Sequence, residues 1–273
     1  MASKLSISKA WDETREIFRR DGGLITTVAL ALIVLPEVVV GIIAPPQAAA
    51  TVDASAGNQI LRIVAGLVAL VGQLSLIRLA LGPSTTVGAA IGHGARRFPA
   101  TFGAIILLAL ALTILAVPVI IILALGLGID LAQMRGQPSG PAGLLILILA
   151  LGILALSVRF TLVSPVGSAE SIGPIGILKR SWRLTAGNYW RLLGFVALLL
   201  IAALVLIAAA GIVGSLLARL VSSDLEPFSI GALIVALISG AAQGAFSVLA
   251  AVMLARVYAQ AASGSENVEE ALR

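Results

Sequence analysis

The chain contains no cysteine and a single histidine, His93. The first absence removes disulfides, thiolate metal sites and cysteine nucleophiles. The second removes any multi-histidine metal centre or two-histidine proton relay. Charge is scarce as well: Asp, Glu, Lys and Arg make up 11% of the 273 residues, against 59% hydrophobic. Soluble domains carry roughly 25% charged residues. The 18 Lys and Arg and 13 Asp and Glu side chains are too few to coat a water-soluble globule of this length. A disordered chain is excluded by the opposite argument, since such chains are poor in apolar residues. The composition is that of an integral membrane protein. Its net charge of +5 belongs to a membrane surface rather than to nucleic acid, because of where the cations fall.

A hydrocarbon core about 30 Å thick needs ~20 apolar residues in a helix. Six runs qualify, at about 24–44, 63–81, 102–125, 143–163, 192–217 and 230–257. Each is apolar all round, whereas barrel strands alternate, so an all-α protein of six transmembrane helices is expected, forming one membrane domain over 1–273.

Fifteen cations fall on one side of these spans and three, Arg62, Arg135 and Arg219, on the other; Lys4 and Arg273 count among the fifteen. The excess of Lys and Arg in cytoplasmic segments then predicts both termini in the cytoplasm. Ala48-Ala49-Ala50 fits a signal-peptidase site. Against cleavage stand four acids in the first 23 residues and Pro36-Glu37 inside the apolar run, so the first run is expected to stay as a span.

The odd-numbered spans are each preceded by a basic amphipathic segment, at about 6–21, 86–98 and 174–186. In the first, Ile7, Trp11, Thr14 and Phe18 share one helical face, Glu16 and Arg20 stand at i,i+4, and Gly22-Gly23 reads as a helix end. In the third, Pro174 opens a helix carrying Lys179, Arg180 and Arg183, with Gly187 after it. Such helices lie in the membrane interface. The even-numbered spans each end with an arginine in apolar sequence, Arg78, Arg159 and Arg256, 81 and 97 residues apart. The recurrence suggests three parallel repeats of interfacial helix plus helical hairpin about a pseudo-threefold axis.

The stretch from Arg159 to Leu193 includes Pro165, Glu170, Leu178-Lys179-Arg180-Ser181-Trp182-Arg183-Leu184-Thr185 and Gly187-Asn188-Tyr189-Trp190-Arg191-Leu192. It resembles the bacterial glycerophosphoryl diester phosphodiesterase membrane-domain family and its stand-alone relatives. In that family a Pro…Glu segment ends a mid-protein span, and an A-L-K-R-S-W-x-L-T-x-G-N-x-W-R-L element leads into the next. Ile177 stands here in place of the Ala. The likeness is dense over about 35 residues, 159–193, and elsewhere extends only to the helix pattern. It implies a six-helix bacterial inner-membrane fold working near lipids. Fused members carry catalysis in a separate soluble barrel, for which this chain has no room, so no active site is carried over.

No nucleophile elbow, Walker loop, H-E-x-x-H or carboxylate cluster is present, and neither catalysis nor a cofactor or metal is expected. Gly92-His93-Gly94 reads as a flexible loop. Two readings of Arg78, Arg159 and Arg256 stand open. Each arginine can snorkel from its helix end to the headgroups, or the three can converge to grip phosphate oxygens bidentately.

Glu37 lies about seven residues, ~10 Å, inside the first span. It needs protonation, a partner or water, and Arg62 is the nearest candidate by topology. Gln73 and Gln243 sit mid-span, where interhelical hydrogen bonding is expected. Gly240 and Gly244 form a G-x-x-x-G packing signal. Glu170 is expected to orient the basic third segment through an ion pair. Trp11, Trp182 and Trp190 read as interface anchors.

These features favour a non-enzymatic inner-membrane protein that binds, transports or senses anionic lipid or a phosphate-bearing headgroup at the cytoplasmic leaflet. A membrane scaffold or assembly factor for a partner protein is the alternative. A small-solute secondary transporter ranks third, since midplane charges are missing.

Overall fold

The computed structural model describes residues 5–44, 56–82, 86–126, 140–221 and 226–271. Lys4, Arg135, Arg273 and the Ala48–Ala50 site lie outside the described residues. All regular structure among the described residues is helical: α1 (Ile7–Ala29), a π-helical turn (Leu30–Val34), α2 (Leu35–Ile43), α3 (Ala56–Leu81), α4 (Val87–Gly126), α5 (Pro141–Phe160), α6 (Val163–Ala169), α7 (Pro174–Ala186), α8 (Tyr189–Val221) and α9 (Ile230–Ala271). Six helical stretches are long and apolar enough to cross a membrane: Ile7–Ile43, Ala56–Leu81, Val87–Leu123, Gly143–Ala169, Tyr189–Val221 and Ile230–Ser263. The chain is a multi-pass membrane protein.

Two expected breaks are absent. Residues 6–21 and 86–98 do not form separate interfacial helices; they run unbroken into the spans that follow, as α1 and α4. Gly22-Gly23 does not end α1. A helical glycine costs about 1 kcal/mol relative to alanine, and breaking the backbone ladder where the chain enters lipid costs several. Only the third segment is set apart, as α7, which begins at Pro174 and has Gly187 as its C-cap.

Ser6 caps α1, its hydroxyl accepting from the Lys9 N–H at 3.3 Å. The buried face of α1 comprises Ala10, Thr14, Ile17, Asp21, Ile25 and Val28. Of the stripe expected to face the membrane, Trp11 is exposed, whereas Thr14 is turned into the bundle. The expected Glu16–Arg20 pair gives way to Arg20–Asp21, at 2.8 Å.

Before Pro36, which has no N–H to give, the helix widens for one turn. The Leu35 N–H donates to the Leu30 carbonyl five residues back, which relieves the clash a proline makes with the preceding turn. Beyond this turn α2 lies tightly on α9. A Cβ on Gly240 would stand 2.8 Å from Val38 Cγ2, Gly244 faces Val34, and a Cβ on Gly41 would stand 2.8 Å from Ala236 Cβ. The G-x-x-x-G of α9 is the seat of this contact.

The packed interior gathers toward the end of the bundle where α3 and α5 finish and α4, α7 and α8 begin. One cluster centres on Val158, Leu162, Ile177, Leu192, Phe195 and Val257, and another on Ile25, Leu76, Ile77, Leu79 and Val252. Most cations lie at this end, termed here the basic end. Toward the other end the apolar side chains of α4, α5 and α8 turn outward, among them Ile114, Ile122, Ile148, Leu151, Leu204 and Ile212. Such surfaces cost nothing against acyl chains, because lipid tails are as apolar as leucine.

Candidate functional site at the basic end

The end of α5 organises the site. A helix C-terminus leaves its last carbonyls without intrahelical donors, and here the Arg159 carbonyl is satisfied by two hydroxyls from α7. Ser181 Oγ donates to it at 3.0 Å and Thr185 Oγ1 at 3.3 Å. These residues are four apart, hence on one face of α7, and both are fully buried. The Tyr189 hydroxyl donates to the Ala155 carbonyl at 3.0 Å.

The Arg159 guanidinium is held between two aromatic rings. Its Cζ lies 4.9 Å from the Trp182 ring centroid and 5.0 Å from that of Tyr189. Trp182 is positioned in turn by Phe160, at 5.6 Å between centroids. Each cation–π contact contributes about 0.5–2 kcal/mol, more when desolvated. Arg159 Nη1 is shut off from solvent and has no hydrogen-bond acceptor among the described residues. The Arg159–Tyr189 part of the sequence pattern is thus one physical unit, in which α7 caps α5 and, with Tyr189 at the start of α8, clasps the arginine in its last turn.

The other two arginines have different company. Arg256 Nε donates to Glu13 Oε2 at 2.8 Å and its Nη1 reaches the Ala80 carbonyl at 3.5 Å, so one side chain ties α9 to α1 and α3. Arg78 runs along the end of its own helix, its Cζ 3.4 Å from where a Cβ on Gly82 would stand. Among the described residues no hydrogen bond or ion pair joins the partner groups of these three arginines.

Glu170 accepts from Arg180 Nε and from the Tyr258 hydroxyl, both at 2.9 Å, so the expected ion pair orients α7 and also reaches α9. Lys179 and Arg183 project outward beside it, exposed. Trp182 and Trp190 are also exposed at this end.

Sequence reasoning missed the role of His93. Gly92-His93-Gly94 is not a loop but part of α4. The ring Nε2 lies 2.8 Å from the Ser168 carbonyl of α6, which makes Nε2 the protonated nitrogen. Arg78, Arg96 and Arg97 are close enough to act on it electrostatically. Gly94 permits the approach of α4 to α3, since a Cβ there would stand 2.6 Å from the Val71 carbonyl. Ser168 Oγ donates to the Leu74 carbonyl at 3.0 Å, and Arg97 donates to Ser171 Oγ. Only long-range packing reveals these pairs; the glycines flanking His93 were the available hint.

The intramembrane polar residues are placed differently from expectation. Arg62 Nη2 donates to the Ala44 carbonyl at the end of α2, at 2.9 Å, and not to Glu37. Glu37 is exposed on α2. Gln73 and Gln243 do face the same space, but among the described residues neither side-chain amide makes a hydrogen bond. Both line a cleft of about 540 Å³. No cluster of three or more potential metal ligands occurs among the described residues.

A family model described as a domain of unknown function (DUF7847) matches residues 5–261. The chain belongs to this family. No curated protein and no solved structure matches it. Membership in DUF7847 covers every element of the site just described, from Glu13 to Tyr258, so the site and the fold belong to one family unit rather than to an appended segment.

Proposed function

We propose that the protein binds anionic lipid, or the phosphate-bearing headgroup of one, at the cytoplasmic leaflet of a bacterial inner membrane. Both termini lie in the cytoplasm in this reading, which makes the basic end cytoplasmic. The observation that carries it is the Arg159 guanidinium, with Cζ within 5.0 Å of the Trp182 and Tyr189 ring centroids and Nη1 lacking an acceptor. A buried charged donor without an acceptor is costly. The Arg159 side chain as a whole is part-exposed, so a turn of the guanidinium brings Nη1 to a phosphate oxygen, which arginine can grip bidentately. Exposed Lys179 and Arg183 on the same helix add attraction to an anionic surface, about 1 kcal/mol for each residue near it.

The likeness of residues 159–193 to the glycerophosphoryl diester phosphodiesterase membrane domain supports the same reading, since those residues build the arginine clasp. The placement of an arginine near the basic end of α3, α5 and α9 supports descent from three parallel repeats about a pseudo-threefold axis. The roles of the three arginines have diverged in this account: Arg256 secures the bundle, Arg78 covers a helix end, and Arg159 meets the ligand. The test is retention of anionic lipid by the purified protein with and without the Arg159 guanidinium.

A further inference from the structure

The cleft lined by Gln73 and Gln243 lies apart from the arginine clasp. Helices α4 and α9 both pack on α3 but barely touch one another. At the basic end the short helix α6 packs on all three and fills the space between them. Its Ser168 is bonded to the Leu74 carbonyl, next to Gln73, and its Gly167 lies against Thr101, next to Phe102. Beyond α6 the space between α4 and α9 stays open, with α3 as its floor and Ile33 of the π turn at its side. Gln73 stands eight residues before the end of α3 at Leu81, about 12 Å along the helix, so this is a membrane-depth opening facing acyl chains.

Its lining is unusual for that depth. The side chains of Gln73, Gln243 and Ser247 face it and make no hydrogen bond among the described residues, while no Asp, Glu, Lys or Arg lines it. An unsatisfied amide in hydrocarbon is costly. The remaining walls are aliphatic and aromatic. Gly66 leaves room, since a Cβ there would meet nothing within 4 Å. Apolar walls select an apolar chain; amides without charges select an uncharged head whose oxygens accept hydrogen bonds from the amide N–H groups, with or without a hydroxyl to donate in return.

We propose that this cleft binds a neutral lipid-borne molecule with a small oxygen head, entering sideways from the bilayer between α4 and α9, its head on the amides of Gln73 and Gln243. A diacylglycerol and a quinone or quinol share this chemistry.

The test uses the full chain in phosphatidylcholine nanodiscs containing a diazirine-bearing diacylglycerol or a phosphatidylglycerol with the same acyl chains. Adducts are mapped by mass spectrometry after irradiation. The diacylglycerol should label peptides containing Leu70 and Phe246 about tenfold more than the phosphatidylglycerol, and that labelling should fall about tenfold in Gln73→Leu/Gln243→Leu, the loss of one or two hydrogen bonds. Gly66→Leu, which fills the cleft, should do the same. Competition by a decyl-substituted benzoquinone assigns the head to a quinone, and its failure to compete assigns it to the glyceride. Equal labelling by the two lipids would overturn the proposal, as would labelling unchanged in the double glutamine variant: the cleft is then an ordinary lipid-facing groove. The glutamine variants keep the test decisive if Gly66→Leu misfolds.

Discussion

Glu13 and Arg256, 243 positions apart, meet through a 2.8 Å hydrogen bond that joins the first and last membrane helices at the basic end of the bundle. Both side chains are about a quarter exposed, 24% and 26%, so the pair sits between a solvated ion pair and a buried one. Removing either partner should cost about 1–2 kcal/mol. A double-mutant cycle of Glu13→Gln and Arg256→Gln, followed by thermal unfolding in detergent, should give a coupling energy of this size. Additive effects would show that the bond does not hold the two helices.

Helix α1 passes through Gly22 and Gly23 without a break, and a Cβ at either position would meet nothing within 4 Å. Alanine should therefore stabilise the protein at each site, by about 1 kcal/mol from helix propensity and the reduced freedom of the unfolded chain. A fall in melting temperature for Gly22→Ala/Gly23→Ala would mean that a turn is needed there.

Gly94 behaves in the opposite way. A Cβ at this position would press on the backbone carbonyl of Val71, and backbone cannot move aside as a side-chain tip can. Gly94→Ala should destabilise by about 1–3 kcal/mol, whereas Gly92→Ala, where a Cβ meets open space, should not. Thermal melting of the two variants side by side provides the comparison.

The clasp around Arg159 depends on the two ring contacts, to Trp182 and Tyr189. Trp182→Leu should loosen the guanidinium and expose it to water, while Ser181→Ala removes a donor from the end of α5 and should cost about 1 kcal/mol of stability. Intrinsic tryptophan fluorescence of a Trp11→Phe/Trp190→Phe background, which isolates Trp182, should shift when Arg159 is replaced by Ala. An unchanged spectrum would contradict the contact with Trp182.

Much of this arrangement was legible from local chemistry. The six spans followed from apolar length, the limits of α7 from Pro174 and Gly187, and the Glu170–Arg180 pair from sequence proximity. What failed was local reasoning where the surroundings overrule it. Gly22-Gly23 signals a stop only when water can take the freed backbone groups. Thr14 shares the spacing of the membrane-facing stripe but is buried, its hydroxyl satisfied by the Ala10 carbonyl of its own helix. Periodicity carries no trace of pairs such as Glu13–Arg256 or His93–Ser168, and the cleft arises where three distant helices leave Gln73 and Gln243 without the interhelical bonds expected of them.

Binding at the Arg159 clasp is tested most directly by native mass spectrometry of the protein released from nanodiscs of mixed phosphatidylglycerol and phosphatidylcholine, with wild type, Arg159→Ala and Arg159→Lys compared. A single arginine is the cleaner choice, because Arg256 also secures the fold through Glu13. The account predicts a discrete number of retained phosphatidylglycerol molecules in the wild type, lost in Arg159→Ala and reduced in Arg159→Lys, whose ammonium cannot grip phosphate oxygens bidentately. Equal retention of phosphatidylglycerol by all three proteins, with the fold intact, would contradict it.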